Sequence, residues 1–381
     1  MFLLTYCIVC VVPLGAQELV SRFTCLATLA RWFPARFVVV LINSITMTFD
    51  LYNIIQFTLL PIVVLSILVT IRPKKMKDIR NKHVVVTGGS SGIGKCLAIL
   101  AAKKGANVTI IARNVENLEK AKDEVLQACV NKDAQKVECL PLDIGKDYET
   151  VEKALAELEK NMGPVHMLVN CAGLAIAGKI EDTTAEDLDK MMRTNFLGTY
   201  YCTKAVVPRM KASKEGTIVL VSSQAGLLGI IGYTAYSSTK FALRGLAESL
   251  AMELRPYDIS VTLCLPADTD TPGYAMEELT KPIETKAISE MIKLVQPEVV
   301  AEKALEDALA TNFFSYVGLE SFALTTMCAG MSPIKSFSQL FVQVLLMGPL
   351  RLIGAIQHFV MQKIIEKCQQ RTSPEVVKKV E

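Results

Sequence analysis

Histidine is scarce in this chain of 381 residues. There are three, His83, His166 and His358, and none lies near another or near a plausible nucleophile in sequence. That argues against a histidine-based triad and against a histidine-rich metal centre. Also missing are a second cysteine pair at zinc spacing, an internal repeat and any low-complexity tract. The 11 cysteines are scattered and odd in number, and Cys7-x-x-Cys10 sits inside an apolar run. Reduced thiols explain them better than a metal site does. Lys plus Arg number 41 against 38 Asp plus Glu, a net charge of +3 with no basic stripe for a phosphate backbone to meet. No metal and no nucleic-acid partner is expected.

Apolar side chains are in excess. They make up 51% of the chain, with a mean hydropathy of +0.35, and the surplus collects at the two ends. Residues 51–71 (LYNIIQFTLLPIVVLSILVTI) carry no charge over 21 positions, enough to cross a hydrocarbon layer as a helix. The flank 72–82 then supplies six basic residues, which predicts that this side of the span faces the cytosol. Residues 1–50 form an extension whose topology the sequence leaves open. At the other end, 313–366 is apolar with few charges. Pro349 and Arg351 interrupt it, so a membrane-surface helix or hairpin is expected there rather than a clean span, with packing onto the domain itself as the alternative. A polar tail, 367–381, follows.

Between the ends, from His83 to Asn312, the pattern alternates. Short apolar runs of strand length (HVVVT, ANVTIIA, Val137–Leu142, Val165–Asn170, Gly216–Ser222, Ile259–Leu265) are separated by charged segments of helical period. This predicts an α/β domain, a doubly wound parallel sheet with helices on both faces. Residues near 270–295 follow the sixth strand and should form a lid over a substrate.

Thr87-Gly-Gly-Ser-Ser-Gly-Ile-Gly94 joins the first strand to a helix. Glycines there let the backbone turn tightly and approach a pyrophosphate, which the helix N-terminus attracts. Gly88, Ser90, Ser91, Gly92, Ile93 and Gly94 are therefore expected to bind a dinucleotide. The second strand ends in Arg113 where an NAD site would carry an acid, so NADPH is expected, with Arg113 on the 2′-phosphate. Asp143 is placed to reach the adenine amino group, and Asn170 closes the fourth strand, where the cofactor would cross the strand C-terminal ends. Tyr236 and Lys240 lie four apart on one predicted helical face. A nearby ammonium should lower the phenol pKa and make it a usable acid. Tyr200 and Lys204 have the same spacing but lack the strand-end serine that Ser223, or its neighbour Ser222, supplies to the first pair. Asn195 is a polar residue among apolar neighbours in another helix.

TGGSSGIG, NCAG, Asn195, VSSQAG and YSSTK, in that order over about 83–292, resemble the short-chain dehydrogenase/reductase family. The resemblance implies a Rossmann-type sheet and a catalytic set of Asn195, Ser223, Tyr236 and Lys240. In that set Tyr236 gives a proton to a ketone, Lys240 lowers its pKa and holds the nicotinamide ribose, Ser223 binds the carbonyl oxygen, and Asn195 fixes a water. It also implies a homodimer. Pro266-Ala-Asp-Thr-Asp-Thr-Pro272 is similar to a narrower group, endoplasmic-reticulum members that reduce a long-chain keto-lipid. Ala267 departs from the wider family, and Asn117 stands where the narrower group often has lysine. Lys378-Lys379 resembles a dilysine retrieval signal. Together these imply an endoplasmic reticulum membrane protein with its catalytic domain in the cytosol. A membrane retinol or steroid dehydrogenase, or a non-catalytic nucleotide-binding membrane scaffold, are the alternatives.

Overall fold

The computed structural model describes residues 76–371, all within one compact unit, Pro73–Glu381. The extension 1–50, the predicted span 51–71, the start of the basic flank and Lys378-Lys379 lie outside the described residues.

Seven strands form one sheet in the order β3-β2-β1-β4-β5-β6-β7. They are β1 (His83–Thr87), β2 (Asn107–Ala112), β3 (Val137–Pro141), β4 (Val165–Asn170), β5 (Gly216–Val221), β6 (Ile259–Cys264) and β7 (Phe314–Ser315). Every pairing is parallel. Parallel neighbours need crossovers, and the charged segments supply them as helices. They are α1 (Gly92–Lys103), α2 (Val115–Ala128), α3 (Tyr148–Met162), then α4 (Ala185–Met191) running through a π turn at Met192–Leu197 into α5 (Gly198–Ser213), then α6 (Thr234–Leu254). Asn114 and Asp147 cap α2 and α3, accepting from the amides of Asn117 (2.8 Å) and Thr150 (2.7 Å).

Strand alternation divides the core. Val84 and Val86 of β1 pack with α1, α2 and α9 (Pro297–Leu309); Val85 points the other way, into a cluster with α3, α5 and α6. Both faces are covered, which is why the strands read as unbroken apolar runs. Each fully buried Val, Leu or Ile contributes about 1.5–3 kcal/mol relative to exposure.

The last fifth of the chain begins as part of the domain and ends as an exposed helix. Residues from 313 onward read as membrane-associated, yet Phe313 and Phe314 are buried and Phe314 opens β7, paired to β6 through Leu263. Helix α10 (Gly318–Met327) follows, then α11 (Phe337–Arg371), one helix of 35 residues that runs through Pro349 instead of breaking there. It is the one described helix long and apolar enough to cross a membrane by length and composition, and none of its most apolar window is buried.

Candidate active site

The strand order reverses between β1 and β4, and a crevice opens at their C-terminal ends. A cavity of about 430 Å³ lies there. Its floor is the glycine turn after β1. Gly88 has φ +68°, and a Cβ on it would sit 2.8 Å from the Ala172 backbone, so only glycine lets the turn nest against the loop after β4. Thr87 Oγ1 braces the same loop, accepting from the amides of Cys171 and Ala172 at 3.1 Å each. Ser91 precedes α1 without a side-chain capping bond. The first-turn amides of α1 are therefore left to an anion.

Gly88, Ser90, Ser91, Gly92, Ile93 and Gly94 all border the cavity. So do Arg113 at the end of β2 and Asp143 after β3. Arg113 is exposed and makes no ion pair among the described residues. Asp143 Oδ1 accepts from the Gly145 amide at 3.0 Å. Asn170 does not border the cavity: it is buried, and its Nδ2 donates to Thr203 Oγ1 at 3.2 Å, tying β4 to α5. It was expected at the cofactor, and its neighbours Cys171–Leu174 are there instead. The glycine floor and the open helix end suit a nicotinamide dinucleotide.

The other wall comes from α6 and the strand ends. Tyr236 and Lys240 project from α6 on one face, with Nζ 5.6 Å from the phenol ring centre. Lys240 Nζ also donates to the Val221 carbonyl at 3.0 Å. The two serines separate cleanly. Ser223 borders the cavity together with Tyr236, and its hydroxyl acts to lower the phenol's pKa. Ser222 Oγ turns away and donates to the Lys240 carbonyl at 2.9 Å. Tyr200 is exposed on α5, and Lys204 lies over Tyr148, 4.0 Å from its ring centre, so the second tyrosine-lysine pair builds nothing here.

Asn195 sits in the π turn, fully buried, behind the cavity wall rather than on it. Its Oδ1 accepts from the Leu174 amide at 2.8 Å; its Nδ2 donates to the Leu174 carbonyl at 2.9 Å and to Thr239 Oγ1 at 3.0 Å. The side chain thus staples the loop after β4 to α6. The π turn takes the Asn195 carbonyl out of the regular helical ladder, and Thr199 Oγ1 donates to it at 2.9 Å.

Electrostatics differ from expectation. Burial raises the Tyr236 pKa, the Glu277 carboxylate raises it further, Ser223 opposes and Asp268 adds to the rise. Burial weakens the Lys240 ammonium in turn, to a pKa of about 8. Glu277 comes from the lid, where α7 (Pro272–Glu278) and α8 (Ile283–Ser289) stand on a neck closed by the Thr269–Val295 bridge. Tyr233 donates to Glu277 Oε1, and Lys281 Nζ lies 3.1 Å from the same oxygen. Lys281 is buried and also pairs with Glu278, and at 3.8 Å with Asp268. Among the lid glutamates, Glu277 borders the cavity, whereas Glu278 pairs with Lys281 and Glu284 is buried against Lys179 at 2.7 Å. Among its apolar residues, Met276, Ile283 and Met291 are exposed and Ile288 is core, while Ile292 lines the cavity, as does Ile230 before α6. Tyr233, Asp268 and Lys281 were missed, since nothing in their spacing places them together.

Known proteins agree with this geometry. Residues 82–281 match the family described as short chain dehydrogenase. The chain is 46% identical over 298 residues to the 3-ketodihydrosphingosine reductase of Bos taurus, covering 78% of this chain and 90% of that one. It is 47% identical over 298 residues to the 3-dehydrosphinganine reductase of Danio rerio, covering 78% and 89%. Among solved structures, a short-chain dehydrogenase from Streptomyces avermitilis aligns at 30% identity and a TM-score of 0.55 over 64% of this chain and 90% of its own. Levodione reductase, at 23% identity and a TM-score of 0.56, shares the fold over 63% of this chain and 96% of its own. The chain belongs to the short-chain dehydrogenase family, oxidoreductases that work with a nicotinamide cofactor.

Proposed function

We propose that the protein reduces 3-dehydrosphinganine to sphinganine with NADPH. One observation carries the chemistry: the Tyr236 phenol, kept protonated by its surroundings, borders one cavity with Ser223 and the glycine turn. The relatives' names supply the substrate.

Gly88–Gly94 would hold the cofactor, which would supply the hydride for the C3 carbonyl carbon. The chain's own residues do the rest. Ser223 Oγ orients the carbonyl oxygen. Tyr236 gives its phenolic proton to that oxygen as the hydride arrives, completing the secondary alcohol. A phenol whose pKa is raised arrives with its proton in place but gives it up less readily. Lys240 stands beside the phenolate then formed and attracts it. Asn195 holds the loop after β4 against α6, fixing the cavity wall. Arg113 supplies a planar cation for the 2′-phosphate, which favours NADPH over NADH.

Helix α11 and the predicted span support a membrane-bound enzyme meeting its lipid at the bilayer; with the basic flank and Lys378-Lys379 they support the endoplasmic reticulum with the catalytic unit in the cytosol. Exposed Tyr200 on α5 and Phe241 on α6 support pairing of two copies through these helices.

Tyr236→Phe is expected to lose at least about a thousandfold in turnover, removing an acid that nothing replaces, while NADPH still binds by fluorescence. Retained turnover overturns the assignment. The substrate is tested on purified protein in detergent, with 3-dehydrosphinganine, retinaldehyde and a 3-ketosteroid as competitors. Preference for either of the last two overturns the sphingoid reading.

A further inference from the structure

The cavity wall facing Tyr236 carries more negative charge than the protein neutralises. Asp268, Glu277 and Glu278 share one ammonium, Lys281. Glu277 Oε1 takes both the Lys281 contact and the Tyr233 hydroxyl, leaving Oε2 without a hydrogen bond among the described residues. Asp268 Oδ2 is buried and has no hydrogen-bond partner either, with Lys281 3.8 Å away. Both carboxylates border the cavity.

That arrangement works against ketone reduction as it stands. Hydride addition builds negative charge on the carbonyl oxygen, and a carboxylate nearby disfavours it. Glu277 and Asp268 also hold the Tyr236 proton more tightly. A reductase of neutral ketones would do better without them. The conflict disappears if the substrate brings its own cation to this wall.

We propose that Glu277, with Asp268 beside it, binds the ammonium on the carbon next to the substrate's ketone and makes the enzyme selective for α-amino ketones. This rests on the proposed function and deepens it. Ammonium and carbonyl are on adjacent carbons, so fixing the cation at Glu277 swings the carbonyl oxygen toward Ser223 and Tyr236. Neutralising Glu277 at the same time lightens the hold on the Tyr236 proton. Selectivity and acid strength are thus set by one contact. Tyr233 and Lys281 are positioning residues, which hold the Glu277 carboxylate through Oε1 and leave Oε2 for the ligand.

The test compares 3-dehydrosphinganine with the same long-chain 3-ketone lacking the amino group, on the full chain in detergent with NADPH. The wild type is expected to favour the amino ketone by at least about tenfold in kcat/KM, the scale of one charge-assisted hydrogen bond. Glu277→Gln should raise KM for the amino ketone about tenfold or more and remove most of the preference between the two ketones. Glu277→Asp should restore part of the preference. A wild type indifferent to the amino group, or a Glu277→Gln variant that slows both ketones alike, overturns the ammonium site and leaves the reductase reading standing. A wild type that reduces neither ketone overturns both. If Glu277→Gln fails to bind NADPH, Asp268→Asn carries the same comparison, and an unchanged preference there overturns the proposal.

Discussion

At the scale of single residues, Ser222 and Ser223 show how much one step along a strand end decides. Ser223 borders the cavity with Tyr236, while Ser222 Oγ is tied to the α6 backbone. Ser223→Ala should cut kcat by about 10²–10³, the cost of losing one donor at a reacting oxygen, whereas Ser222→Ala should act on thermal stability more than on rate. Equal rate losses would put both serines at the carbonyl. Lys240 makes a different demand. Burial lowers its pKa from 10.5 to about 8, so below pH 8 the folded protein carries a buried charge that the unfolded chain holds in water. The cost is therefore full at neutral pH and fades as pH climbs from 8 toward 10.5. Lys240→Met should abolish turnover yet raise stability by up to about 3 kcal/mol at pH 7, with the gap to wild type closing above pH 8. A calorimetric melt at pH 7 and pH 10 measures both. Tyr236, Lys240 and the glycine turn were legible in the sequence because each depends on local spacing. The Glu277–Lys281 cluster was not, because it forms where a lid folds back on α6, a long-range event that no short motif encodes.

At the scale of elements, the six principal strands and the first three crossover helices were readable, since alternating apolar runs and capped amphipathic segments carry their own period. β7 was not, because two aromatics facing protein and two facing lipid look alike in sequence. The lid shows what a connection can demand of one residue. Gly232, just before α6, has φ +80°, and a Cβ on it would lie 2.1 Å from Thr285 Oγ1 and 3.1 Å from Pro282, both at the start of α8. Thr285 in turn donates to the Ile231 carbonyl at 2.8 Å. Gly232→Ala should push α8 off the cavity, raising KM for the lipid ketone several-fold while NADPH affinity holds. Loss of NADPH binding instead would mean that the strain spreads to the sheet.

At the scale of the whole molecule, α11 leaves Phe337, Val344, Leu352, Ile353, Ile356 and Phe359 exposed, an apolar surface too large to leave in water. If lipid covers it, deleting residues 51–71 should leave the protein in the membrane fraction. Recovery in the soluble fraction would show that something other than lipid covers α11. The helix does not stand alone, however, for it packs against α10 and also against α8 of the lid. The roof of the reaction chamber therefore leans on the segment most subject to its surroundings. A long apolar helix tilts to match the slab it occupies. Vesicles built from short, medium and long acyl chains should then set different turnover rates at equal substrate loading, so that the enzyme reads the thickness of the bilayer its product helps to build.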